Sequence, residues 1–154
     1  MNRYLLSGVA TGSLALILSG CGGSDGLPQM SAAQPANFGG DCAALATSIT
    51  GLTGTVITAA STVAGGTVVS NISMPEHCLV TGKMNERVSA VDGGTYYIGF
   101  QMRLPKNWNG RFFYQANGGT DGAVSNAVGA LGGGPVTSAL SKGFAVLSSD
   151  AGHQ

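Results

Sequence analysis

Two short runs that do not alternate, 112–116 and 144–149, restrict the fold of this 154-residue chain more than any other feature. Each is apolar or small throughout, as strands buried in a parallel sheet are. Turn signals bound them: Asn109-Gly110 before the first, Asn117-Gly118-Gly119 after it, Gly143 before the second. Parallel neighbours need a connection of a dozen or more residues, usually helical. The segment from Asp121 to Lys142 is long enough to supply one. Pro135 can open a helix, Lys142 suits its last turn and Gly143 its C-cap, while Gly129 and Gly132-Gly133-Gly134 break the earlier half into loop.

Upstream the pattern changes to period two. Tyr96, Ile98, Phe100, Met102 and Leu104 occupy one side of a run at 95–104, and Thr95, Tyr97, Gly99, Gln101 and Arg103 the other. That alternation predicts an antiparallel strand with one wetter face. Its partner is the run 78–84, and Asp92-Gly93-Gly94 supplies the turn between them. A β-branched stretch at 55–63 predicts a further strand, ended by Gly65-Gly66, and Asp41 is placed to cap a short helix at 42–47. The order is antiparallel hairpin, parallel strand, helix, parallel strand, which makes the fold class α/β.

Several of these segments together resemble the tannase/feruloyl esterase family of α/β-hydrolases. They are Leu104-Pro105-x-x-Trp108-Asn109-Gly110-Arg111-Phe112, then Asn117-Gly118-Gly119, then Lys142-Gly143-Phe144-Ala145-Val146-x-Ser148-x-Asp150-x-Gly152-His153. Pro75-Glu76-His77-Cys78 is similar to the same family's Pro-x-His-Cys segment. The resemblance covers residues 42–154 and implies the N-terminal part of an α/β-hydrolase sheet. In that fold one oxyanion amide comes from the loop after the third strand, and the triad follows in chain order after the nucleophile elbow. By resemblance, Gly118 or Gly119 donates an N–H to the oxyanion hole, with the two glycines expected to take positive φ and turn their amides outward. The family's nucleophile lies in a Cys-Ser-x-Gly-Gly type elbow, and this chain has no such segment, so no catalytic residue is assigned. The sheet is expected to be incomplete, leaving Phe112, Phe113, Phe144 and Val146 short of cover, and the chain to be inactive alone. Family members bind calcium in a region with no counterpart here, so no cofactor and no metal ligand is assigned.

The N-terminus bears on the compartment. Arg3 precedes an apolar stretch at 5–18, too short to span a bilayer, which takes about 20 residues, and fitting a signal peptide over residues 1–20. Leu18-Ser19-Gly20-Cys21 resembles the lipobox of bacterial lipoproteins, in which the Cys carries the lipid. By that resemblance Cys21 is the lipidation site, and Gly22 in place of Asp favours the outer membrane, on its periplasmic or outer face. Residues 21–40, rich in Gly, Ser, Pro and Gln, are expected to be a flexible tether. Gly22-Gly23-Ser24-Asp25-Gly26 matches G-x-S-x-G, but that motif works only between a strand and a helix, so Ser24 is rejected as a nucleophile. With Cys21 lipidated, Cys42 and Cys78 remain; in an oxidising compartment they are expected to pair, two free buried thiols being the alternative. The family resemblance supports the bridge.

Composition sets the remaining limits. Charged residues make up 9% of the chain, against about 25% in ordinary domains, and seven basic and seven acidic residues cancel, which argues against a nucleic-acid partner. Of the two histidines, His77 is expected to serve packing or hydrogen bonding, and His153 to be positioned at the carboxyl edge of the sheet, where sites form. Asp150 beside it is too little for a metal site. Trp108 reads as a hydrophobic plug, and Asp121 as a cap. The reading is therefore the N-terminal part of an exported, lipid-anchored hydrolase of aromatic gallate- or ferulate-type esters. The alternative is a non-catalytic lipid-anchored remnant or small binding module.

Overall fold

The computed structural model describes residues 31–118, 122–130 and 137–153. In chain order the strands are β1 (Ala36–Asn37), β2 (Thr55–Val63), β3 (Val68–Val69), β4 (Ile72–Ser73), β5 (His77–Val88), β6 (Thr95–Pro105), β7 (Asn107–Trp108), β8 (Phe112–Gln115) and β9 (Ala145–Ser149). One short helix, α1 (Leu45–Ser48), follows β1, and one 3-10 turn (Leu140–Lys142) precedes β9. Residues 1–20, read above as a signal peptide, lie outside the described residues, as do Cys21, Ser24, Gly119, Asp121 and Pro135.

A five-stranded mixed sheet runs β2-β5-β6-β9-β8. The first three contacts are antiparallel, and β8 pairs parallel with β9. This is the expected hairpin followed by a parallel pair, a partial α/β fold. The β5–β6 hairpin is longer than the alternation alone indicated, because Asn85 takes a positive φ of 53° at a bulge and lets pairing resume beyond it. At the hairpin turn Asp92 accepts hydrogen bonds from the Gly94 amide and the Tyr96 hydroxyl.

Each face of the sheet has its own cover. On one, Cys78, Val80, Met102 and Leu104 meet Phe38, Cys42, Leu45, Ile57 and Ala60. The Cys42–Cys78 disulfide, with Cα atoms 5.6 Å apart, fixes α1 there, as expected from the cysteine count. Asp41 accepts from the Ala43 amide, so it does cap the turn, although the helix itself begins later, at Leu45. On the other face Val146 and Phe113 pack with Met74, Ala127, Val128 and Leu140.

Four expectations are corrected. The Gln101–Arg103 side of β6 is not wet: the crossover folds over it, and Arg103 is 4% exposed. The crossover is not a helix among its described residues; only the 3-10 turn forms, closed by Gly143 at φ 83°. A loop lying on a sheet must satisfy its own backbone groups, and strand glutamines do this. Gln101 accepts from the Ala127 amide, while Gln115 accepts from the Gly129 amide and donates to the Asn126 carbonyl. Strand β8 is not buried on both sides. It forms the edge of the described sheet, with Tyr114 52% exposed and Phe112 57% exposed, as the incomplete sheet was expected to leave it, whereas Val146, expected to be short of cover, is fully covered. Finally, order begins before residue 41. β1 pairs with β7, and Phe38 has a core to enter, which outweighs the polar composition around it.

Candidate active site

The parallel pair sets the geometry. Ladder pairing of β8 with β9 ends at Gln115 opposite Ser148, and the two chains then diverge. A cleft of about 200 Å³ opens between them, lined by Tyr114, Asn117, Gly118, Ser149, Asp150 and His153. Clefts outside the carboxyl ends of strands are where open α/β sheets bind ligands.

On the β8 wall the chain passes through Ala116 and Asn117 to Gly118, which is exposed. A Cβ built on Gly118 would meet nothing within 4 Å among the described residues, so these leave free space over its backbone. The expectation that positive φ turns this loop outward does not hold at Gly118, which is not left-handed. The loop is held instead by the Asn117 side chain. Its Nδ2 donates to the Ser149 carbonyl at 2.6 Å and to Ser148 Oγ at 3.2 Å. Of the two glycines assigned as oxyanion donors, Gly118 is thus at the cleft, and Gly119 lies outside the described residues.

The β9 wall is built by Asp150. Its carboxylate is 3% exposed and accepts from the Gly99 amide at 3.0 and 3.1 Å and from the Gly152 amide at 2.8 Å. Gly99 permits this, since a Cβ there would stand 2.8 Å from Asp150 Oδ2. The His153 amide donates to the Asp150 carbonyl, closing a turn through Ala151 (φ 54°) and Gly152 (φ 79°). Positive φ at both central positions belongs to a type I′ turn, and at Ala151 it costs about 1–2 kcal/mol. Two positive-φ residues in tandem thus bring the exposed His153 to the rim. Tyr114 crosses the cleft, its hydroxyl 3.1 Å from Ser149 Oγ.

His77 and Trp108 lie elsewhere. His77 is 1% exposed, with Nδ1 2.7 Å from the Pro75 carbonyl oxygen and Nε2 2.7 Å from an Arg103 nitrogen. Arginine only donates, so Nε2 accepts and Nδ1 carries the proton of a neutral ring. Burial lowers the His77 pKa, the bond to Pro75 opposes this, and the Arg103 charge lowers it further. Its role is structural. Trp108 sits before β8, at the opposite end from the cleft, and donates from Nε1 to the Arg111 carbonyl. Around it Asn109 donates to the Lys142 carbonyl, and Gly110, at φ 81°, lies so close to Gln34 that a Cβ would overlap its backbone. The Trp-Asn-Gly-Arg motif is therefore a structural joint.

Sequence reasoning assigned no role to Asn117, Tyr114 or Ser149. The first had a signal: an amide side chain directly before the donor glycines, able to reach the neighbouring strand.

A relative from Piscinibacter sakaiensis, a mono(2-hydroxyethyl) terephthalate hydrolase, is 46% identical over 84 residues, a stretch that makes up 54% of this chain and 14% of the relative. The chain thus matches a small part of that protein's length. The model of the family described as tannase and feruloyl esterase matches residues 78–154, half of the chain, spanning β5 to the cleft. With the cleft, the Asn-Gly-Gly loop and the Asp-x-Gly-His turn all inside that match, the chain belongs to the tannase and feruloyl esterase family.

Proposed function

We propose that this chain forms the oxyanion side of the active site in a serine carboxylic-ester hydrolase acting on aromatic esters. The observation that carries this reading is the open backbone at Gly118, facing a cleft at the carboxyl ends of β8 and β9. An acyl-transfer enzyme needs amide donors at that place, one from this loop and one from the residue after the nucleophile. When a serine oxygen adds to the ester carbon, the carbonyl oxygen becomes negative. The amide of Gly118 or Gly119 stabilises it there, together with the amide after the nucleophile; loss of one such donor costs about 3 kcal/mol of transition-state stabilisation. The oxyanion then collapses, expelling the alcohol and leaving an acyl-serine that water hydrolyses.

The serine, the acid and the base belong to polypeptide outside these 154 residues. This is supported by the relative, of which the matched stretch is 14%, and by the chain's lack of a serine in a strand-to-helix elbow among its described residues. The aromatic substrate class draws support from the family and from the terephthalate monoester in the relative's name. Export is supported by the Cys42–Cys78 bridge, since disulfides persist in oxidising compartments, while lipid attachment at Cys21 and anchoring to the outer membrane rest on the resemblance of Leu18-Ser19-Gly20-Cys21 to a lipobox.

The test uses the product of the complete reading frame, assayed on methyl gallate, methyl ferulate and mono(2-hydroxyethyl) terephthalate, and labelled with a fluorophosphonate. The expected result is turnover of at least one ester, with the label on a serine outside this chain. A labelled serine within it, or no turnover, overturns the proposal. Mass spectrometry of the mature N-terminus checks the lipid on Cys21.

A further inference from the structure

We infer that Asn117 is a positioning residue for the oxyanion amide, an assignment that rests on the functional reading above. An oxyanion donor must be held within about 0.5 Å of its productive place. Strand pairing cannot do that here, because the β8–β9 ladder stops at Gln115 and Ser148, short of Gly118. Left-handed backbone geometry does not do it either, since Gly118 is not at positive φ. Packing against the described residues does not, because a Cβ at Gly118 would touch none of them.

The Asn117 carboxamide takes the place of the missing ladder. Nδ2 donates across the gap to the Ser149 carbonyl at 2.6 Å, replacing the backbone bond that the diverging strands no longer make. The group is also 3.2 and 3.3 Å from Ser148 Oγ through its nitrogen and its oxygen, one bond in either sense. Gln115 Nε2 approaches Asn117 Oδ1 at 3.5 Å, and Gln115 is itself fixed by the Asn126 carbonyl and the Gly129 amide. The loop's last described residues are thus tied to the far wall of the cleft and to the crossover. An aspartate of the same shape cannot donate to a carbonyl. It would face the Ser149 oxygen with a negative oxygen, and the loop would swing away.

The experiment compares wild type, Asn117→Asp and Asn117→Ala in the product of the complete reading frame. We expect kcat to fall about 100-fold in both variants, as for loss of an oxyanion donor, with KM changed less than about threefold. Equal losses assign the effect to the lost tie rather than to the new charge. Full activity in Asn117→Ala, or a loss confined to KM, overturns the assignment. Amide hydrogen exchange in the peptide spanning Tyr114 to Gly118 separates this claim from the functional one. Faster exchange there in both variants is expected whatever the enzyme's substrate, and unchanged exchange overturns the tie. A wild type that hydrolyses none of the esters while its variants show faster exchange would refute the esterase reading and with it the catalytic part of this inference.

Discussion

Gly118, at the cleft, and His77, in the buried layer, show how differently two residues of one chain can be used. Because a methyl group at Gly118 would meet only open space, Gly118→Ala is expected to leave the thermal midpoint within about 2 °C, a surface substitution being worth roughly 0.5 kcal/mol or less. Turnover by the product of the complete reading frame should fall sharply, because the methyl would stand where the ester carbonyl approaches. A melt beside a kinetic assay checks both halves. His77 should behave in the opposite way, affecting stability. Its pKa is lowered from 6.5 in the folded state, so below that pH the unfolded chain binds more protons than the folded one. Its contribution is fully present above about pH 6.5 and is lost as pH falls from there toward the lowered folded value. The midpoint should therefore decline on acidification through this window. In His77→Gln, measured over the same range, that slope should flatten.

At the scale of elements, the crossover from β8 to β9 departs most from an ordinary α/β unit. A helix satisfies its own backbone, whereas this segment depends on Gln101 and Gln115. Gln115→Ala would leave the buried Gly129 amide without its partner, at a cost of about 1–3 kcal/mol. Denaturant unfolding should show that loss, with proteolysis appearing first in the crossover. The same elements explain what was legible from sequence. Strand β2 could be read from its β-branched run, the β5–β6 hairpin from its alternation, and the end of the 3-10 turn from Lys142-Gly143. Such local patterns report local backbone preference. The polar side of β6 was misjudged because alternation cannot distinguish water from a polar loop as the covering layer. The apolar content of residues 112–116 made a strand legible, and the exposure of Phe112 follows the expected incompleteness of the sheet, but the cover over Val146 comes from residues distant in sequence. In the site, the loop glycines were visible as turn signals, but Asn117 bonds to β9, over 30 residues later, and only the fold brings them together.

For the molecule as a whole, the disulfide is the strongest single constraint. It closes a loop with a sequence separation of 36, for which chain entropy gives about 4 kcal/mol. Cys42→Ser with Cys78→Ser should lower the midpoint by on the order of 15 °C, and a reducing agent should do the same to the wild-type protein. The bridge also straddles a boundary. Cys78 is the first residue of the family match, while Cys42, α1 and Phe38 precede it. A protease that nicks the exposed hairpin between β3 and β4 would therefore release nothing. Both pieces would migrate as one species on a non-reducing gel and part only when a thiol is added, so limited digestion can map the edge of the hydrolase core only under reducing conditions.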